Sequence, residues 1–384
     1  MAVVGLASTV PYFPSDQQEQ SFWETIPKSP PDATRVPQGF SKKLSSPLAW
    51  KADDIAHRLS AYEVQLEAGD VVAVESALGA FKGYSEISTD TFPLPKQLAQ
   101  RLKNVSRECY GGVGFSVVCG LDPSKYTAAD NVALFAGIAA HVAPGRGFVD
   151  RKRESARCRP PPQCCIREDT GFHDGESYNA EIMGLYVLES GDEGGKLALS
   201  SSFSLYNELA RTRPDVVETL AAPWVLDTFK DYNKYPPLRV PFLHQSGSDK
   251  VIFRFSRYPM TGFQGLVRNP ALPIPTKAQV EAMDAVQFMA AANSIRVPTG
   301  SGDIVFINDQ AVMHARDSFR DGTGSKRHVL KMFLRDPNQS WPVTGPALEQ
   351  RQKIYGPNRD DGARAEQWWT DFEMGQEEEA PTNG

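Results

Sequence analysis

Apolar positions along the chain fall into two regimes. In the first 140 residues they recur mostly at helical spacing: Val71, Val74, Leu78 and Phe81 follow Asp70, which reads as an N-cap, and predict a helix over 70–81. Leu98, Leu102 and Val105 predict a second helix from about Pro95 to Cys109, stopped by Gly111-Gly112. Val132, Phe135 and Ile138 place an amphipathic helix over 127–141. The stretch from Gly114 through Phe115, Val117 and Val118 to Cys119 is short, apolar and β-branched, which predicts a buried strand. Later the regime changes. Ile182 to Leu188 is a continuous apolar run suited to a strand buried on both faces. Leu243 and Val251 to Phe255 flank a Gly-Ser-Asp turn and predict a hairpin, and Ile295–Pro298, Asp303–Ile307 and Val329–Leu334 read as further strands. One late helix interrupts them, where Thr276-Lys-Ala-Gln279 forms a capping box ahead of Val280, Met283 and Val286. Helices first and strands later predict an α+β fold with a double-stranded β-helix (jelly-roll) core and flanking helices.

The ends and one inner segment break the pattern. Residues 1–45 are rich in proline (Pro27, Pro30, Pro31, Pro37) and read as an extended, wrapped arm; 46–360 read as one jelly-roll domain, without internal repeats. Residues 361–384, with Glu377 to Glu379, read as an acidic, disordered tail. Arg151 to Thr170 carries Pro160-Pro161-Pro162 and reads as an irregular loop. Its cysteines, Cys158, Cys164 and Cys165, do not form regular metal-binding pairs with His173, which argues against zinc.

Composition narrows the class. With 41% hydrophobic and 23% charged residues among 384, the chain has material for a large core. No apolar run reaches the length of a membrane span, and the start, Met1-Ala-Val-Val-Gly-Leu-Ala, lacks the basic region of a signal peptide. A net charge of −6 without a Lys/Arg cluster argues against nucleic acid as the partner. Five cysteines in a chain this long suit a reducing, cytoplasmic setting.

Chemistry concentrates near the end of the domain. Gly302-Asp303 opens a strand, His314 follows twelve residues after Gly302, and Arg327 comes thirteen residues later at the head of another strand. In a jelly roll this spacing can bring both to one mouth. A neutral imidazole suits a ferrous ion, and a guanidinium fork suits the distal carboxylate of a dicarboxylic acid. A lone histidine is more often a satisfied core residue, and an arginine more often half of a surface ion pair. The residues by themselves leave both readings open.

In this stretch the chain resembles the taurine dioxygenase/TfdA-like family of iron(II)/2-oxoglutarate oxygenases, and especially its fungal-type members. The resemblance runs roughly from Pro47 to Gly356 and includes Pro47-Leu-Ala-Trp50, Thr91-Phe-Pro-Leu-Pro95, Gly194-Gly195 before Ser200, Tyr206-Asn-Glu-Leu209, Arg213-Pro-Asp215 and Phe255-Ser-Arg257. It implies that His314 ligates iron(II) and that Arg327 grips the far carboxylate of 2-oxoglutarate. It further implies that molecular oxygen is consumed, succinate is formed and hydrogen is abstracted from a C–H bond of a small molecule. That substrate is a specialised metabolite or an amino-acid-like compound. The remaining ligands come in the family as His-x-Asp, matched here by His173-Asp174-Gly175. His173 fits, but Gly175 stands at the aspartate position. Residues two apart on a strand share a face, so Asp174 and Glu176 have the wrong parity unless the backbone turns at Gly175. Three readings stay open: ligation by Asp174 or Glu176, a halide at Gly175 as in the 2-oxoglutarate halogenases, or a disabled site reused by a metal-independent enzyme or binding protein. Leu197 follows the Gly194-Gly195 pair where relatives carry a hydroxyl side chain. Lys331, four residues after Arg327, stands where relatives often have arginine, and either meets an anionic substrate group or is solvated. His-Glu-x-x-His and Cys-x-x-Cys motifs are absent from the sequence.

Overall fold

The structure is a computed structural model that describes residues 10–27, 36–81, 87–147, 157–158, 166–167, 170–173, 180–191, 193–230, 232–233, 236–263, 265–320 and 327–355. Its centre is a pair of facing sheets. The larger has the order β1 (Glu63–Gln65), β2 (Phe115–Cys119), β15 (Ile304–Asn308), β7 (Ile182–Glu189), β18 (His328–Arg335) and β3 (Gly145–Gly147), with β4 (Arg157–Cys158) also paired to β18. The smaller has the order β14 (Ser294–Val297), β9 (Leu197–Ser201), β16 (Val312–Arg316) and β6 (Thr170–His173). A three-stranded patch orders β5 (Ile166–Arg167), β17 (Phe319–Arg320) and β8 (Glu193–Gly194). Two hairpins stand beside them, β10 (Trp224–Leu226) with β11 (Leu238–Val240), and β12 (Leu243–Ser246) with β13 (Lys250–Phe253).

Strand alternation sorts the side chains into two cores. Phe115 and Val117 of β2, Met183 of β7, Val305 and Ile307 of β15 and Phe333 of β18 point from the larger sheet toward Leu197 and Leu199 of β9 and Ile295 and Val297 of β14. Their neighbours of opposite parity, including Val118, Tyr186, Ile304 and Phe306, face outward and join a second core with the helices. The helices are α1 (Asp16–Thr25), α2 (Ala52–Ile55), α3 (Ala68–Ala80), α4 (Lys96–Gly111), α5 (Ala128–Val142), α6 (Ser202–Thr212), α7 (Pro214–Ala221), α8 (Tyr258–Thr261), α9 (Lys277–Ala292) and α10 (Pro346–Tyr355). This is the expected α+β jelly roll with flanking helices.

Four expectations are corrected. Asp70 does not cap α3: Glu67 holds the cap and Asp70 sits three residues on, accepting the Glu67 amide at 3.0 Å. Helix α5 is buried nearly all round and not amphipathic, because it is packed between α3, α4 and the larger sheet, with Phe135 against Tyr186 at 5.7 Å. The middle of the chain is not mainly strand. Helices α6 and α7 follow β9 directly, α6 capped by Ser201, whose hydroxyl accepts the Ser204 amide at 2.9 Å. The N-terminal segment is not wholly extended either, since Ser15 and Gln18 form a capping box that starts α1. Residues 1–9 and 28–35 of the expected arm, most of 151–170 and the entire expected tail lie outside the described residues.

Candidate functional site

Strand β16 lies between β9 and β6, so its interior-facing side chains stand beside those of both neighbours. His314 pairs with Leu199, a residue of the inter-sheet core, and on its other side with His173. His173 has the opposite parity to Phe172, which belongs to the outer core, so both histidines point between the sheets. Their ring centroids are 4.1 Å apart at 55°, and both side chains are buried.

Of the two imidazoles, His173 has one nitrogen engaged. His173 Nδ1 lies 2.8 Å from the Gly171 carbonyl, which can only accept, so in the neutral ring Nε2 carries the lone pair. His314 Nδ1 faces Asp309 Oδ1 at 3.5 Å, longer than a hydrogen bond but close enough to orient the ring. Both His314 nitrogens are buried with no hydrogen-bond partner among the described residues. Burial, then the neighbouring His173 and the positive charge of Lys331, hold the His314 pKa well below the usual histidine range. A neutral imidazole with an unengaged buried nitrogen, beside a second imidazole, is the donor set a borderline metal such as iron(II) takes. The described residues contain no group of three His, Cys, Asp or Glu side chains arranged for a metal. Asp174, Gly175 and Glu176, on which the identity of a third ligand turned, lie outside the described residues.

Lys331 acts on His314, and two arginines gather around one aromatic ring. Lys331 pairs with Leu185 on β7, and Leu185 packs against the inter-sheet core, so Lys331 too faces inward. Arg327 immediately precedes β18, with its guanidinium 5.5 Å from the centre of the Phe319 ring. Arg316 stands 4.7 Å from the same ring. It is two residues past His314 on β16 and therefore on the same face. Reading the sequence missed Arg316, although that spacing was the signal that could have found it.

The Gly194-Gly195 pair has a steric purpose here. A Cβ at Gly194 would lie 2.0 Å from the Ser318 carbonyl oxygen, and one at Gly195 would lie 3.0 Å from both Cδ and Nε of Arg327. Both residues have positive φ, +79° and +68°, which glycine adopts without strain. Gly195 thus clears the space in which Arg327 lies, and Gly194 admits the close approach of the Ser318 carbonyl. Leu197 pairs with Arg316 across the sheet and contributes an apolar wall in place of a hydroxyl.

The profile of the family described as taurine catabolism dioxygenase TauD, TfdA family, matches residues 80–333. The taurine hydroxylase-like protein SAT17 of Stachybotrys chartarum is 32% identical over 343 residues, covering 82% of this chain and 85% of that protein. The chain belongs to the TauD/TfdA family. As a member of it the protein is an iron(II)- and 2-oxoglutarate-dependent oxygenase acting on a small molecule. Among solved structures, the fold is similar to that of an asparagine oxygenase in complex with Fe(II), 3-hydroxyasparagine and succinate, with a TM-score of 0.56 at 15% identity over 73% of this chain and 95% of that one. The non-heme iron oxygenase OrfP, in complex with iron and α-ketoglutaric acid, gives 0.54 at 14% identity over 71% and 93%. Among the described residues no helix of this family member is long and apolar enough to cross a membrane.

Proposed function

We propose that His173 and His314 hold the iron(II) of this oxygenase, that Arg327 grips the distal carboxylate of 2-oxoglutarate, and that Lys331 meets an anionic group of the substrate. The observation that carries this reading is the cross-strand pairing of the two histidines, which brings their rings to 4.1 Å between the sheets. Bound iron would supply the dioxygen chemistry for which no amino-acid side chain is equipped. The protein's part is to bind, orient and exclude water. The Gly171 carbonyl at Nδ1 of His173 leaves Nε2 as the donor there, and the Asp309 carboxylate, 3.5 Å from Nδ1 of His314, favours the same nitrogen on that ring. Leu197, Leu199, Met183 and Phe333 make the surrounding wall apolar, which keeps bulk water from the reacting centre and strengthens the charge contacts made inside it.

The substrate class follows from charge. With Arg327 assigned to the co-substrate, the inward cation Lys331, with Arg316 on the His314 face, is suited to a carboxylate or similar anion on an amino-acid-like compound or specialised metabolite. The asparagine oxygenase holds 3-hydroxyasparagine and OrfP holds 3-hydroxyarginine, both carboxylates, which supports that choice. Residues 46–360 form the oxygenase domain on this reading. A cytoplasmic setting fits the free state of Cys109 and Cys119, the described cysteines without a disulfide.

Arg327→Ala tests the assignment. A charge-assisted, two-pronged contact contributes on the order of 1.5–3 kcal/mol, so the 2-oxoglutarate concentration for half-maximal succinate formation should rise about 10- to 100-fold. Arg327→Lys should recover only part of that, because an ammonium lacks the fork. Gly195→Ala should shift the requirement in the same direction by displacing the Arg327 stem. Co-substrate dependence unchanged in both Arg327 variants would remove this arginine from the role.

A further inference from the structure

Strand β6 does not pair evenly with β16. His173 stands opposite His314 but Thr170 stands opposite Arg316, so Gly171 and Phe172 together face the single residue Ala315. A bulge of this kind disturbs the ladder and re-aims the side chains beside it. The Gly171 amide hydrogen goes to a distant part of the chain: it is donated to the Tyr12 hydroxyl at 3.2 Å. The Gly171 carbonyl in turn accepts from His173 Nδ1 at 2.8 Å. One residue therefore ties the N-terminal segment to an imidazole of the metal site.

We infer that Tyr12 is a positioning residue for His173, acting through the two ends of Gly171. The inference rests on the proposal that His173 ligates the metal. Tyr12 is itself fixed in place. Its ring stacks on Phe263 at 3.9 Å and 30°. The Pro11 carbonyl accepts from Arg257 Nη2 at 3.2 Å, and Arg257 Nη1 reaches Asp284 at 2.7 Å with both side chains nearly or wholly buried. Asp284 also accepts from Gln18 Nε2 at 3.2 Å, and Phe22 packs on Phe288 at 5.4 Å, so α1 is fastened to α9 beside the site. Glycine at 171 is part of the device. A Cβ there would stand 3.0 Å from Gln287 Oε1 and 3.4 Å from the Tyr12 hydroxyl, so a larger residue would crowd Gln287 and the hydroxyl that meets its amide. The peptide on either side of Gly171 is thereby held in one orientation, and with it the carbonyl that sets the tautomer and direction of the His173 ring. Partners of this outer kind change metal affinity by about 10- to 100-fold when removed.

Tyr12→Phe tests this with the stack on Phe263 left in place. Three variants and the wild type are titrated anaerobically with iron(II), and with cobalt(II), whose visible bands report ligand geometry. Tyr12→Phe should bind either metal about 10-fold more weakly, with altered cobalt bands. Gln18→Ala removes one tie of α1 but keeps the hydroxyl, the Tyr12–Phe263 stack and the Arg257 contact to Pro11, and should match the wild type in both readouts even if its melting temperature falls. His173→Ala should lose the metal. Wild-type affinity and bands in Tyr12→Phe, with His173→Ala inactive in binding, would overturn the inference alone, as would an equal loss in Gln18→Ala. Wild-type affinity in His173→Ala would overturn the metal-site proposal on which it stands.

Discussion

His314→Ala should abolish iron binding while the metal-free fold stands. His314 sits mid-sheet on β16, buried, with Nε2 making no hydrogen bond among the described residues. Removing it deletes a buried polar atom that contributes nothing to the metal-free core, so the loss of packing is partly offset. The melting temperature of the metal-free protein should move by only a few degrees. Iron affinity should fall by more than about 100-fold, beyond the loss expected from an outer partner, because a donor itself is gone. Equilibrium binding under anaerobic conditions, alongside thermal melting without metal, separates the two effects. A variant that binds iron like the wild type would take His314 out of the site.

The largest stability effect should come from Glu181, far from any motif. Its side chain is fully buried, and Oε1 lies 2.8 Å from Arg351 Nε and 3.2 Å from Arg335 Nε. Oε2 accepts from the Tyr110 hydroxyl at 2.7 Å, and Ser340 donates to Oε1 at 2.8 Å. The cluster fastens α10, through Arg351, to the start of β7. Its backbone carbonyl also accepts the Asp309 amide at 3.0 Å, which holds the turn whose carboxylate faces His314. Breaking a buried ion cluster from one side leaves the other charges uncompensated, and Glu181→Ala should destabilise by about 3–5 kcal/mol in denaturant unfolding. Glu181→Gln, which keeps an acceptor of the same shape, should lose less than the alanine variant. A loss under about 1 kcal/mol for the alanine variant would show that the cluster is not an anchor.

How much of this was legible in the sequence depended on the range of the interactions involved. The strands β2, β7 and β15 were readable because a strand buried on both faces is mostly apolar, whatever its partners, and β18 because Val329, Leu330 and Met332 to Leu334 surround its one lysine. Helix α9 was readable because its capping box is complete within four residues, Thr276 to Gln279. The caps at Glu67, Ser15 and Ser201 were equally local but were masked by acidic, proline-rich or serine-rich surroundings. His173 and His314 were found through their places in a family pattern, since nothing in the 140 residues between them says that two strands will pair in that register. Lys331 was open between an anionic substrate group and solvent, and its inward direction came only with its pairing to Leu185. The ties that hold the site in place were not readable at all. Tyr12 meets Gly171 across 159 positions, and Arg351 reaches Glu181 across nearly the whole β-core. Periodicity carries no trace of such contacts, and only the folded chain shows them.

The most direct test of the central claim is an anaerobic titration of the metal-free protein with iron(II) and then 2-oxoglutarate, followed in the visible range. If His173 and His314 hold the iron and Arg327 seats the co-substrate, a charge-transfer band should grow to saturation in the wild type. It should be absent in His173→Ala and His314→Ala, and should require about 10- to 100-fold more 2-oxoglutarate in Arg327→Ala. A wild-type protein that gives no band at saturating iron and co-substrate, or histidine variants that give the same band as the wild type, would contradict it.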